Sequence, residues 1–319
     1  MNCLKKLFHK TLYVISLVTL VSCSGDSEAI QQKAKSIEQT AKEIINAKSI
    51  RNDSTNQQPD CSWQNIKFTI SNNQGNNDEQ GGNNVIIFNP KSKELDFKVS
   101  LGLNHKIYAK DLQGKLLKQY IPKSFSEIID DENAQLDGKK PIAAINADYI
   151  DPEHKPQGLN VSRGVEYSGI FKNKRSSFGI SGGKPETRKA TIQIGKRKTP
   201  ILNYNLVGGN GRFYQQGKFK DICKDLGEYA CSQETSRSLV AITEKGYVIL
   251  LVNNANNEQT LYPSMFDDVL TGISRNYCLG KIQEGMLFDG GWSTGLYFDN
   301  RIYVENFNPI GSVFLIYKK

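Results

Sequence analysis

Met286-Leu287-Phe288-Asp289-Gly290-Gly291-Trp292-Ser293-Thr294-Gly295-Leu296-Tyr297 sets the reading of the whole chain. A short apolar run leads into an acidic side chain, then into two glycines free to take positive φ, then into two hydroxyls and a second apolar run. The pattern predicts a strand that ends in a sharp turn and leaves a carboxylate at its tip. The same letters suit a plain hairpin with Asp-Gly in the turn, so the purpose of the carboxylate is decided by other stretches.

Outward from this point, Gly285 to Phe288, Leu296 to Phe298, Arg301 to Glu305 and Val313 to Tyr317 read as strands. So do Ile66 to Ile70, Asn84 to Phe88, Leu95 to Leu101, Ile107-Tyr108, Pro141 to Asn146, Ala190 to Ile194, Leu239 to Ile242 and Tyr247 to Val252, several of them with alternating apolar residues. Helical spacing is confined to two stretches of this region. Ser124 to Asp131 carries Phe125, Ile128 and Ile129 on one side after a Ser N-cap. Tyr262 to Tyr277 has Pro263 near its start and a stripe of Met265, Phe266, Val269, Leu270 and Ile273. The Asn- and Gly-rich insert Ser71 to Asn84 reads as a mobile loop. Strands outnumber helices without βαβ alternation, which predicts an α+β fold: a mixed, mostly antiparallel sheet core with a few packed helices, in a single large domain.

The N-terminus has a different character. Lys5, Lys6 and Lys10 precede the apolar run Leu12 to Val21, a signal-like pattern whose run of about ten residues falls short of the roughly 20 needed for a stable span. Leu20-Val21-Ser22-Cys23 resembles the lipobox of bacterial lipoproteins, which implies cleavage before Cys23 and diacylation of its thiol. A Cys falling by coincidence at the end of an ordinary signal is the alternative. Ile30, Ala34, Ile37, Ala41, Ile44 and Ile45 recur at helical spacing, and Asn52 to Asp60 is a polar linker. The expected layout is a signal peptide over 1–22, a lipidated tether over 23–60 and a domain over 61–319. The expected location is the bacterial cell envelope, with the domain in the periplasm or at the cell surface. Loss of the three signal lysines and no acids takes the formal charge from +8 to +5. With no concentrated Lys/Arg run either, a nucleic-acid partner is not expected.

Export puts the cysteines in an oxidising compartment. Cys3 leaves with the signal and Cys23 carries lipid, so Cys61, Cys223, Cys231 and Cys278 remain, and four cysteines allow three pairings. Cys223 with Cys231 closes a short loop and is the first choice, which leaves Cys61 with Cys278. Their spacing fits no zinc pattern, and no metal is expected. Beyond the signal only His105 and His154 occur, too few for a Ser-His-Asp triad or a His-rich metal centre. Gly208-Gly209-Asn210-Gly211 lacks the third glycine of a dinucleotide fingerprint, so no nucleotide cofactor is expected. Three constellations remain: Asn146-Ala147-Asp148-Tyr149, Ser236-Arg237-Ser238, and Asp289-Gly290-Gly291.

In their order and spacing these residues resemble the phosphodiester glycosidase domain, the uncovering-enzyme-like family, over roughly 141–319. Ala144-Ile145-Asn146-Ala147-Asp148-Tyr149-Ile150 is similar to the family's Asn-Gly/Ala-x-aromatic-aromatic segment, and Pro156-Gln157-Gly158-Leu159 to the Pro-x-Gly that follows it. Arg237-Ser238 is similar to its Arg-Thr, and Leu287-Phe288-Asp289-Gly290-Gly291-Trp292-Ser293 to its Leu-Asp-Gly-Gly-Gly-Ser. Trp292 stands where a glycine is usual, which narrows the pocket or supplies an aromatic platform for a sugar. Asp148 stands where many relatives have glycine, and the segment from Gly211 to Gly217 lacks the family's proline.

The resemblance implies an exported, lipid-anchored hydrolase of sugar-1-phosphodiesters in a glycoconjugate or envelope polymer. Breaking the C1–O bond develops oxocarbenium character, which a carboxylate stabilises or attacks; Asp289 is expected there. Arg237 is expected to hold the departing phosphate, and Asn146 to hydrogen-bond sugar hydroxyls or an acetamido group. Ser293, Thr294 and the backbone N–H groups after Gly290 are expected to form an anion nest, with Asp148 as a candidate second acid and Ser238 and Gly158 lining the site. The rival expectation is a carbohydrate- or envelope-binding lipoprotein that keeps the pocket without turnover.

Overall fold

Val85, Ile86, Ile87 and Phe88 are all fully buried. A strand covered on both faces has no solvent side to alternate with, which is why this segment reads as a continuous apolar run. A computed structural model describes residues 58–319 apart from 102, 111, 112, 114, 115, 121, 136, 137, 172, 173, 195–203, 256–258 and 306. The expectations for the signal, for lipidation at Cys23 and for the helical part of the tether lie outside the described residues. Pro59–Lys319 forms one compact unit, and no described helix is long and apolar enough to cross a membrane.

The apolar run belongs to a seven-stranded sheet ordered Ile66–Ser71, Asn83–Phe88, Val248–Asn253, Arg237–Thr243, Ile282–Leu287, Asn210–Gln215, Lys218–Phe219. Its faces divide by the period of two that a strand imposes. Ile86, Phe88, Val240, Ile242, Leu250 and Val252 enter one core cluster. Val85, Ile87, Leu239, Ala241, Ile249 and Leu251 enter another, shared with Phe266, Val269, Leu270 and Ile273 of the helix Phe266–Asn276.

Two five-stranded sheets cover the first face. One is ordered Arg301–Glu305, Gly295–Phe298, Pro141–Asn146, Val313–Lys318, Leu95–Ser100; the other Ala190–Ile194, Ser176–Ile180, Asn205–Gly208, Leu159–Ser162, Val165–Ser168. They contribute Phe97, Ile145, Phe314 and Phe178, Val207 to the shared core. There the Phe178 and Phe314 rings meet edge to face at 5.2 Å. Burying each such ring contributes about 1.5–3 kcal/mol. The outer face of the Pro141–Asn146 sheet, through Ala144, Val313, Leu315 and Tyr317, packs on Phe125, Ile128 and Ile129 of the helix Phe125–Asn133. Ser124 caps that helix as expected: the Glu127 N–H donates to the Ser124 hydroxyl at 3.4 Å and the Ser124 N–H to the Glu127 carboxylate at 2.7 Å. This reciprocal pair is a capping box.

The fold is therefore α+β with helices on the outer faces of packed sheets, and every pairing among the described strands is antiparallel. The insert after Ser71 differs from the expected mobile loop. Asn83 donates from its side chain to Asn72 O and Asn73 Oδ1, both at 3.0 Å, and Asp78 N–H donates to Ile70 O at 3.1 Å. Its many asparagines satisfy the backbone locally, which folds the loop onto itself. The disulfides are Cys223–Cys231 and Cys61–Cys278, the pairing preferred from spacing.

Candidate active site

Two strand tips from different sheets meet at one end of the sandwich. The Pro141–Asn146 strand runs on into Ala147, whose carbonyl accepts from the Asp289 N–H at 2.7 Å; Ala147 N–H in turn donates to Ser312 O at 2.8 Å. Asp289 itself follows the Ile282–Leu287 strand of the large sheet. The carboxylate-bearing turn is thus stitched to the opposite layer by its own backbone. Asn146, fully buried, completes the join: its amide donates to Asp289 O at 2.8 Å and its oxygen accepts from Ser238 Oγ at 2.6 Å and Gly295 N–H at 3.1 Å. The expected site residues Asn146 and Ser238 are therefore spent on the protein and brace the acid.

Asp148, two residues on, is fully enclosed. Its carboxylate accepts from Tyr149 N–H at 2.9 Å, and from Gly158 N–H and Asn160 Nδ2 at 2.7 Å each. Gly208 lies against it so closely that a Cβ there would sit 2.6 Å from the carboxyl carbon, so only glycine fits. Burial lifts the Asp148 carboxyl to about 6, against the pull of its Asn160, Gly158 and Tyr149 donors.

Asp289 is half-buried. Burial pushes its carboxyl up to about 7, opposed by the Ser293 hydroxyl and the Gly290 N–H, while the Asp148 charge pushes it further and Arg175 draws it down. Asp289 and Asp148 therefore share one electrostatic environment. Tyr149 lies among the same groups: burial and the charges of both aspartates raise its phenol, while Arg175 and Arg237 oppose them. Its hydroxyl donates to Phe288 O at 3.1 Å.

Arg237 begins the strand beside this turn. Leu239 pairs with Leu287, Phe288 N–H donates to Ser238 O at 2.9 Å and Gly291 N–H to Ser236 O at 2.8 Å, so the backbone of Arg237 runs alongside that of Asp289. Arg237 is 7% exposed, and its Nη2 donates to Ala230 O at 2.5 Å and Gln233 O at 3.3 Å. Ala230 sits in the short helix Glu228–Ser232, within the segment that Cys223–Cys231 clips. Nε is buried without a partner, Nη1 makes no hydrogen bond among the described residues, and no carboxylate pairs with the group there. Burial lowers its affinity for its proton, with Tyr149 and Tyr262 opposing. A cation held by carbonyls with donors unspent is suited to an anion.

The remaining expected residues divide. Ser293 touches the Asp289 carboxylate. Gly291, at φ +61°, opens the turn Gly291–Ser293. The Ser293 and Thr294 N–H groups and the Thr294 hydroxyl bond back to Gly290 O and Gly291 O, and Gly290 N–H bonds the Asp289 carboxylate at 3.0 Å. These donors brace the turn. Trp292 projects into solvent, 74% exposed. Sequence reasoning missed Arg175, whose guanidinium stacks over Tyr149, because Lys174-Arg175 looks like any basic pair before a strand. Among the described residues no cluster of three or more His, Cys, Asp or Glu is placed to hold a metal. A cavity of about 460 Å³ lined by Glu244, Lys245, Arg275 and Lys281 beside Cys278 shares no residue with this cluster.

A family profile described as phosphodiester glycosidase matches residues 139–317. Among solved structures, the chain is similar to the catalytic domain of zebrafish N-acetylglucosamine-1-phosphodiester alpha-N-acetylglucosaminidase auto-inhibited by its pro-peptide. The TM-score is 0.53 at 12% identity, covering 83% of this chain and 86% of that one. It is also similar to a hypothetical protein from Synechocystis, with a TM-score of 0.50 at 13% identity, covering 80% of this chain. The match spans 61% of the Synechocystis protein's length. No curated protein sequence matches the chain.

Proposed function

The chain belongs to the phosphodiester glycosidase family, and on that footing we propose that it is an exported, lipid-anchored hydrolase that cleaves sugar-1-phosphodiester bonds of a glycoconjugate or envelope polymer. The observation that carries the reading is that the backbone of a half-buried acid, Asp289, runs alongside that of a buried arginine without an acidic partner among the described residues, Arg237, with Tyr149 in the field of both charges. Asp289, as its anion, stabilises or attacks the sugar C1 as the C1–O bond breaks and positive charge develops there. The leaving group is a phosphate monoester, already an anion, so it needs charge stabilisation more than a proton. Arg237 supplies it.

The other residues take supporting parts. Asn146 and Ser238 hold the backbone of Asp289, and Ser293 hydrogen-bonds its carboxylate. Asp148, enclosed and bonded to Gly158 and Asn160, acts by its charge on Asp289 and does not meet the substrate. Trp292 offers an exposed ring on which a sugar face stacks. The zebrafish protein's name specifies an N-acetylglucosamine 1-phosphodiester, which makes that sugar the first to assay.

The test is release of N-acetylglucosamine from its 1-(methyl phosphate) diester by the intact protein and by Asp289→Asn. Turnover by the first and loss in the second supports the hydrolase. Equal and negligible release from both, with the diester still bound, replaces it with a carbohydrate-binding lipoprotein.

A further inference from the structure

Arg175 is the second cation of the site, and its state is unusual. Its guanidinium carbon lies 4.9 Å from the centre of the Tyr149 ring and 4.6 Å from that of Phe171. Two aromatic faces thus hold it in place. The guanidinium makes no hydrogen bond or ion pair among the described residues, and Nη1 is sealed from solvent without a partner. Stacking occupies the faces of a guanidinium and leaves its in-plane N–H donors free to bond.

The turn that carries Arg175 is fixed before any ligand arrives. The Lys174 and Arg175 N–H groups donate to Phe171 O at 2.9 and 3.1 Å. Phe171 N–H donates to Gln157 O, and Gln157 N–H to Tyr149 O, both at 2.9 Å. The backbone that presents both rings is therefore one bonded unit. Arg175 lies over the ring of Tyr149, whose hydroxyl donates to Phe288 O next to Asp289, which sets it beside the proposed reaction; its charge acts on Tyr149, Asp148 and Asp289.

Charge balance gives this position a task. With Asp148 and Asp289 both ionised, as they are above about pH 7, Arg237 alone leaves the site net negative and repels a phosphodiester; Arg175 restores neutrality. We propose that Arg175 is a second anion-holding residue, so that the phosphate of the substrate is gripped by two guanidinia, one stacked between Tyr149 and Phe171 and one held by the carbonyls of Ala230 and Gln233. This rests on the phosphodiester reading and deepens it: selection for a charged diester over a neutral glycoside belongs to Arg175 as well as Arg237.

The experiment compares wild type, Arg175→Gln and Arg175→Lys on the N-acetylglucosamine 1-(methyl phosphate) diester and on the p-nitrophenyl glycoside of the same sugar, with inorganic phosphate titrated by calorimetry. Arg175→Gln is expected to lose about 100-fold more in kcat/KM on the diester than on the glycoside, and to weaken phosphate binding about tenfold or more, with Arg175→Lys between. Equal losses on the two substrates, or unchanged phosphate binding, overturn the proposal. If wild type cleaves neither substrate the hydrolase reading falls, and the phosphate titration still decides the role of Arg175. Should Arg175→Gln not fold, Phe171→Leu removes one of the rings, and the same titration is expected to weaken; unchanged binding in that variant counts against the stacked grip.

Discussion

Asn146 reaches from the tip of one sheet to donate its amide to the backbone carbonyl of Asp289, 2.8 Å away at the tip of another. With Ser238 and Gly295 bonded to the same side chain, Asn146→Ala leaves several buried polar groups without partners. The expected cost is about 2–4 kcal/mol in denaturant unfolding, together with a loss of activity. Wild-type stability in this variant would remove Asn146 from its role as the brace.

Replacing the acid has opposite effects on chemistry and stability. Asp289→Asn is expected to lower turnover by about a thousandfold or more while the fold persists. The folded carboxyl sits at about 7 against an ordinary 3.8, so the folded state keeps its proton after the unfolded chain has released it. Stability from this group is full below the ordinary value and is lost as pH rises through about 7. The amide does not titrate, so the melting temperature of the variant should exceed that of wild type above neutral pH and converge with it under acid conditions. A lower Tm at pH 8 refutes this.

The same elevation shapes the rate profile. If the anion of Asp289 acts at C1, kcat/KM on a diester climbs with pH and levels above about 7. A profile already flat from pH 5 upward would mean that the working carboxylate ionises far lower, and would exclude Asp289 as that group.

Arg237→Ala is expected to depress diester cleavage about 100-fold more than cleavage of an uncharged glycoside, because the lost group meets charge that only the diester presents. Parallel losses on the two substrates would recast Arg237 as a support for Ala230 and Gln233 alone.

Gly208→Ala places a methyl 2.6 Å from the carboxyl carbon of Asp148. Either the carboxylate surrenders bonds to Gly158 and Asn160 or the backbone shifts, and about 2–4 kcal/mol of destabilisation is expected in thermal melts. Melting unchanged from wild type would show that Asp148 is loosely held.

Much of the fold was legible because it rests on apolar periodicity. The runs around Val85, Leu239, Ile249 and Leu315, the Ser124 cap and the stripe from Phe266 to Ile273 all read directly. The strands Leu159–Ser162, Ser176–Ile180 and Asn205–Gly208 did not. They bury Asn160, Ser176, Ser177 and Asn205, polar residues that erase the alternation a reader looks for; Asn160 and Asn205 bond the backbone of neighbouring segments. At the site, Asp289 and Arg237 stood out through motif order. The bracing role of Asn146 depends on which atoms its amide meets across 143 residues of sequence, and Arg175 depends on two rings brought to it by folding. No local pattern announces either.

The clip between Cys223 and Cys231 has a reach beyond its own short loop. It closes the segment whose Ala230 carbonyl accepts from the Arg237 guanidinium, so the proposed activity is expected to follow the thiol–disulfide balance around it. With both thiols reduced, that support for the cation is expected to loosen. On the proposed reading, the site is expected to work best once that disulfide has formed, in an oxidising compartment. Mild reduction that slows diester turnover while near-ultraviolet dichroism stays intact is the signature of that coupling, and undiminished turnover in the reduced protein would dissolve it.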